Sequence, residues 1–188
     1  MKANNLTGFG NNRVENDFYA TDPKSVEQLL NNHEFDYNGT VWEPCAGAGH
    51  ITNVLKESFK SVYSSDLVDR DQGFDCFDFL KYKGSDKFDY IITNPPFKNA
   101  KEFIEKSLLH TNKGVAMFLK IQFLEGLGRK EFLQKSCLKY VYVFSKRQCI
   151  FTNGKEFDEN GKRRANTMCF AWFLWEHGYE GETMVKWI

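Results

Sequence analysis

Asn94-Pro95-Pro96-Phe97 is the segment of this chain best suited to hold a reacting group. It follows Tyr90-Ile91-Ile92-Thr93, an apolar run that must end there because two prolines cannot continue a strand ladder. The prolines fix the backbone, so the Asn94 side chain and the Pro95 carbonyl take defined directions. Both offer acceptors, and Phe97 offers a flat face. The combination suits an exocyclic NH2 group held against a ring and made to donate both hydrogens. The same four residues would also serve as a rigid strand-ending turn with a core phenylalanine.

A second constellation lies upstream, at Glu43-Pro44-Cys45-Ala46-Gly47-Ala48-Gly49-His50. Small residues after a short apolar strand let a ligand approach the backbone closely. Asp66 stands 19 residues after Gly47, at the end of the next apolar run, where an acid can accept from a ribose hydroxyl. The pattern is neither G-x-G-x-x-G nor a P-loop, so a nucleoside-containing cofactor without phosphates fits better than a nucleotide.

Alternating elements must carry these two turns. Asp22-Pro23 opens a helix as N-cap and first helical residue, with Val26, Leu29 and Leu30 on its apolar face. Strands are expected at Thr40–Trp42, Ser61–Ser65, Phe88–Ile92 and Gly114–Leu119. Helices are expected behind Gly49, from about Asn99 to His110, and from Gly128 to Lys135. That alternation predicts a parallel sheet covered on both faces. Leu138–Phe144 and Met168–Trp175 have no helix pattern between them and should pair as an antiparallel hairpin. Residues 1–20 read as an N-terminal arm, and 145–167 as a long hairpin loop.

The chain has 188 residues, enough for one domain, and 41% of them are hydrophobic, which excludes a wholly disordered chain. No apolar run is long enough for a membrane span, and the start lacks the apolar stretch of a signal peptide, so a cytoplasmic protein without membrane contact is expected. Five cysteines at wide spacing argue against a disulfide framework or a structural zinc. His33, His50, His110 and His177 show no metal-ligand spacing, and no metal site is expected. Lys+Arg and Asp+Glu both number 25, which argues against a strongly basic, non-specific nucleic-acid binder. A local patch remains available. The 145–167 loop carries Lys146, Arg147, Lys155, Lys162, Arg163 and Arg164 against three acids, and Arg129, Lys130, Lys135 and Lys139 face only Glu131. Lys146, Arg147, Lys162, Arg163 and Arg164 are the candidates for a phosphate-backbone clamp; a solvated surface loop is the alternative.

Glu43 to Gly49 followed by Asn94-Pro95-Pro96-Phe97 resembles the class I S-adenosylmethionine-dependent methyltransferases that modify amino nitrogens, and within them the small phage-type DNA N6-adenine methyltransferases. The resemblance covers nearly the whole chain. It implies a single Rossmann-like α/β domain over 1–188, with a seven-stranded, mostly parallel sheet ending in the antiparallel hairpin, helices on both faces, and no separate target-recognition domain. It implies S-adenosylmethionine as cofactor, S-adenosylhomocysteine as product, and no metal. Asp17 to Pro23 looks like the motif at the cofactor's methionine end, with Phe18, Tyr19 and Thr21 as contacts; Asp22 interrupts the Thr-Pro usual there. Cys45, Ala46, Gly47, Gly49, His50 and Glu43 would form the cofactor turn, with Asp66 and Leu67 at the ribose. Asp78-Phe79-Leu80 looks like the motif that reads the cofactor's adenine, with Asp78 accepting from its amino group. Asn94, Pro95, Pro96 and Phe97 would be catalytic, Asn94 also touching the cofactor. Lys120 to Gly126 matches the family without an assigned role. DNA is the expected partner. RNA adenine or a protein glutamine could take the same chemistry, a protein partner could supply specificity, and an inactive nucleic-acid-binding module is the reading from another class.

Overall fold

A computed structural model describes residues 19–146, 148, 150–152, 161 and 168–188. In chain order the elements are β1 (Tyr19–Thr21), α1 (Pro23–Asn32), β2 (Thr40–Glu43), α2 (His50–Ser58), β3 (Ser61–Asp66), β4 (Asp75–Cys76), β5 (Phe88–Thr93), α3 (Ala100–Leu109), β6 (Thr111–Lys120), α4 (Leu127–Lys135), β7 (Leu138–Val143), β8 (Ile150–Thr152), β9 (Phe170–Glu176) and β10 (Met184–Trp187). Asp22 caps α1 as expected, its carboxylate accepting from the Lys24 N–H at 3.0 Å, with Pro23 in the first turn.

The main sheet runs β10-β7-β9-β6-β5-β2-β3-β4. Neighbours pair in parallel except at β9, which is antiparallel to both β6 and β7. The expected hairpin partnership of β7 with β9 is therefore present, and the sheet is mostly parallel. It has eight strands, where seven were expected. The two edge strands, β4 and β10, correspond to no strand located in the sequence; both are short and wholly exposed, so neither shows an apolar run or an alternation. The N-terminal arm also ends earlier than expected. Tyr19–Thr21 pairs antiparallel with Ile150–Thr152 in a separate two-stranded ribbon, so the 145–167 connection contains a strand of its own.

Two apolar layers sandwich the sheet. On one face α1 and α2 pack Val26, Leu29, Ile51 and Leu55 near Phe118 and Trp172. On the other, α3 brings Phe103 and Ile104 against Trp42, Met117, Phe173 and Trp175. The three buried tryptophans keep their indole N–H groups paired: Trp42 donates to Ser65 Oγ at 2.9 Å, Trp172 to the Ser25 carbonyl at 2.8 Å and Trp175 to Ser136 Oγ at 3.0 Å. Each ring is thus buried without the penalty of an orphaned donor. Parallel strands on such a core bring the carboxyl ends of β2, β3 and β5 side by side, with Glu43, Asp66 and Asn94 at or just beyond them.

Candidate active site

Between β2 and α2 the chain turns through Pro44 to Gly49. Gly47 and Gly49 have φ of +54° and +84°, conformations that favour glycine. Gly49 is the N-cap of α2 and has a second constraint: a Cβ there would lie 3.2 Å from Phe74 Cζ. Asp66 ties this turn to the next one. Its two carboxylate oxygens accept from the Gly47 N–H at 2.7 Å and the Val68 N–H at 3.0 Å. The acid and the glycine turn linked by their 19-residue spacing therefore meet directly.

Glu43 is only 1% exposed. Burial pushes its carboxyl up to about 8, against hydrogen bonding from Thr52 that acts in the opposite direction. The acid is therefore neutral at pH 7. Thr52 Oγ1 donates to Glu43 Oε2 and lies 2.8 Å from Ser64 Oγ, so α2, β2 and β3 share one buried polar chain. Burial, reinforced by Asp66, also holds the Cys45 thiol well above its ordinary range; it is a neutral, inert group. His50 opens α2 and is held below the usual imidazole value by burial.

Asn94 follows β5, and its Nδ2 donates to Thr21 Oγ1 at 3.0 Å. Thr21 belongs to the β1–β8 ribbon, so one strand of the long connection is only one pairing away from the amide. Pro95 is buried and Pro96 exposed. Phe97 is partly buried. Its ring lies 5.7 Å from that of Phe170 at an angle of 35°, and the Lys120 ammonium sits 4.9 Å from its centroid. Asp78 caps a short 3-10 turn at Phe79–Lys81, accepting from the Leu80 N–H at 3.0 Å, and Lys81 lies 3.2 Å from it. Lys106 of α3 pins the far side of that turn by donating to the carbonyls of Leu80 (3.0 Å) and Tyr82 (2.6 Å).

These groups surround one cavity of about 500 Å3 at the carboxyl edge of the sheet. Of the residues singled out in the sequence, Thr21, Glu43, Cys45, Ala46, Gly47, His50, Asp66, Leu67, Asp78, Phe79 and Asn94 to Phe97 all line it. Phe79 does so as a wall, its ring packed edge-on against Trp42 in the core. Gly49 shapes the turn from behind. The side chain of Tyr19 is not described, and Lys146 is exposed and away from the cavity lining. Phe18, Arg147, Lys162, Arg163 and Arg164 lie outside the described residues. The cavity adds Arg70, Lys98, Asn99 and Phe103. Phe103 lies on the buried face of α3, while Arg70 and Lys98 lie in turns with no pattern to mark them. Among the described residues no group of three or more His, Cys, Asp and Glu could hold a metal ion, and no helix is long and apolar enough to cross a membrane.

A cavity of this size suits a small cofactor. Its lining has two separated carboxylates, Asp66 and Asp78, with Ile51, Leu67 and Phe79 among them. Acceptors for hydroxyl and amino groups beside apolar surface fit a nucleoside.

The overall arrangement recurs in solved structures. A modification subunit provisionally assigned to a type I restriction enzyme of Vibrio vulnificus YJ016 superposes with a TM-score of 0.60 at 14% identity, over 91% of this chain and 47% of that one. The methyltransferase subunit of a type I restriction-modification system from Streptococcus thermophilus gives 0.57 at 12% identity, over 83% and 43%. The 23S rRNA methyltransferase ErmE gives 0.58 at 14%, over 88% and 72%. This chain has the methyltransferase fold. The fold expected from the sequence is thus the one these neighbours share. The chain spans less than half the length of the two restriction-system subunits. No family model matches the sequence, and neither does any curated protein sequence.

Proposed function

We propose that this protein transfers a methyl group from S-adenosylmethionine to the N6 amino group of adenine in DNA. The observation that carries the reading is the Thr21–Asn94 hydrogen bond at the cavity wall. Spending an amide N–H on Thr21 gives Asn94 a fixed donating end and a fixed accepting end. The Asn94 Oδ1 and the Pro95 carbonyl then accept the two hydrogens of a target NH2 group. Accepting both draws the nitrogen toward tetrahedral geometry and frees a lone pair otherwise conjugated with the ring. The bound cofactor supplies a methyl on a sulfonium, already electrophilic enough to need no metal. Phe97 offers its ring to an extruded base. Asp66 accepts from ribose hydroxyls while anchoring the glycine turn, and Asp78 accepts from the cofactor's adenine. Glu43, neutral and buried, sets the wall without adding charge. Exposed Lys146, at the start of the 145–167 connection, contributes to binding the nucleic-acid backbone.

The neighbours support nucleic acid as the acceptor class, since two are named as restriction-system modification subunits and one as an rRNA methyltransferase. ErmE, named as an rRNA methyltransferase, makes RNA the second acceptor reading. The deciding experiment offers labelled S-adenosylmethionine with DNA, RNA and total protein in parallel, using the wild type and Asn94→Ala. Label on adenine N6 of DNA that disappears in the variant supports the proposal. Label on RNA or protein alone moves the substrate, and none on any acceptor removes the catalytic reading.

A further inference from the structure

Gln148 is a buried glutamine that the transfer chemistry leaves unused. It stands just before β8, and three groups hold its amide. Its Oε1 accepts from Ser25 Oγ at 2.8 Å, and its Nε2 donates to Gln28 Oε1 at 3.2 Å and to the Lys146 carbonyl at 2.9 Å. Ser25 and Gln28 lie one turn apart on α1 and so share a face of that helix. Ser25 is itself fixed. It is fully buried, and its carbonyl accepts from the Trp172 indole of β9 at 2.8 Å. Burying an amide costs free energy unless its groups find partners, and an apolar side chain would fill the same space without that requirement. What the glutamine adds is a defined position for the strand that follows it.

That strand carries the contact on which the catalytic amide depends. Ile150 of β8 pairs with Thr21, whose Oγ1 accepts from Asn94 Nδ2. The β1–β8 ribbon has only three residue pairs and stands apart from the main sheet. Two strands that short are marginal on their own. The path closes on itself: the chain runs from Thr21 into α1 as far as Ser25, crosses to Gln148, and returns through β8 to Ile150 opposite Thr21. Fixing Gln148 on α1 therefore sets where β8 lies against β1 and, through Thr21, which way the Asn94 amide points. Without Thr21 as its acceptor the nitrogen end of that amide loses its assigned side. The turned form presents hydrogens to a target NH2 group that needs acceptors.

We infer that Gln148 is a positioning residue for the transfer reaction: by latching β8 to Ser25 and Gln28 it holds Thr21 against Asn94 and keeps Oδ1 aimed at the acceptor. The inference rests on the function proposed above.

Two variants test the latch from opposite sides. Gln148→Met keeps the length and burial of the side chain and removes its hydrogen bonds; Ser25→Ala removes the partner on α1. If one fails to fold, the other carries the comparison. Either should lower the single-turnover rate at saturating DNA and cofactor by roughly two- to ten-fold, the range spanned by one net hydrogen bond. The KM for DNA and the affinity for S-adenosylhomocysteine should stay within about two-fold, a split that general loosening of the fold would not give. Thr21→Val acts on the same bond, so the double variant with Gln148→Met should be no slower than Thr21→Val alone. Backbone amide exchange across Tyr19–Thr21 should quicken in Gln148→Met, a change readable without turnover. Wild-type rates in both latch variants, or losses that multiply in the double variant, overturn the inference while an inactive Asn94→Ala leaves the proposed function standing. A wild type that methylates no acceptor removes that function, and the latch as a positioning device with it; quickened exchange would then mark a purely structural bond.

Discussion

Glu43→Gln isolates the least exposed ionisable group of the site. Glutamine keeps the shape and an oxygen for Thr52 to donate to, and it cannot ionise. In the folded chain burial holds the Glu43 carboxyl at about 8, above its ordinary 4.5. The folded state thus keeps a proton that the unfolded chain has lost, and stability falls as pH rises between those two values. Between pH 6 and pH 8 the loss from this one group is about 2 kcal/mol, allowing for partial ionisation of the folded form near pH 8. For a chain of this size that corresponds to a melting temperature roughly 4–8 °C lower at pH 8. His33 acts in the other direction. Burial lowers it to about 4, so it weakens the fold as pH drops below 6.5. From pH 4.5 to 6.5 the two slopes oppose each other, and the decline above 6.5 belongs to Glu43. Thermal melts of the wild type and Glu43→Gln across pH 5 to 9 read the difference directly. The variant should lose most of the decline between pH 6.5 and 8, below the range in which the buried Cys45 thiol adds its own. Parallel curves for the two proteins would refute a buried, neutral Glu43.

Asn94→Ala should lower transfer by about a hundred- to a thousand-fold, the usual effect of deleting one acceptor or donor tuned to a transition state, while calorimetric cofactor affinity changes little. Phe97→Trp should retain more activity than Phe97→Ala, since removal of a stacking face costs roughly 1–3 kcal/mol in base binding; steady-state KM for the acceptor distinguishes them. Asp66→Ala should weaken S-adenosylhomocysteine binding by about 1.5–3 kcal/mol and speed backbone amide exchange at Gly47 and Val68, whose N–H groups it holds. Gly49→Ala should destabilise the fold by about 1–2 kcal/mol through its left-handed backbone alone, with Phe74 adding to the cost, as chemical denaturation would show.

The parts of this fold that were legible in sequence are those with a strong local cause. Asp22-Pro23 caps a helix by chemistry within three residues, and Phe170 to Trp175 is apolar because both sheet faces are covered there. The spacing from Gly47 to Asp66 was legible because a strand, a turn and a helix of ordinary length fill it, and the two residues bond as a result. β1 and β8 were not legible. Each is three residues long, and each is ordered by a partner about 130 positions away. The Thr21–Asn94 bond depends on that ribbon and shares its obscurity. Glu43 could be placed in the cofactor turn, but its neutrality comes from a burial, won against the hydrogen bond from Thr52, that no local pattern reveals.

The placement of β9 governs how the chain can be made. β9 lies between β6 and β7 in the sheet yet follows both in the chain. As the polypeptide leaves the ribosome, β6 and β7 emerge with facing edges that cannot pair with each other in the native way. Both stay open until residues 170–176 arrive. Strand edges left open in a growing chain invite aggregation, and pairings this distant slow folding. Residues 170–176 therefore close the sheet, and a nascent chain stalled before Phe170 presents two unsealed apolar strands to the chaperones around it.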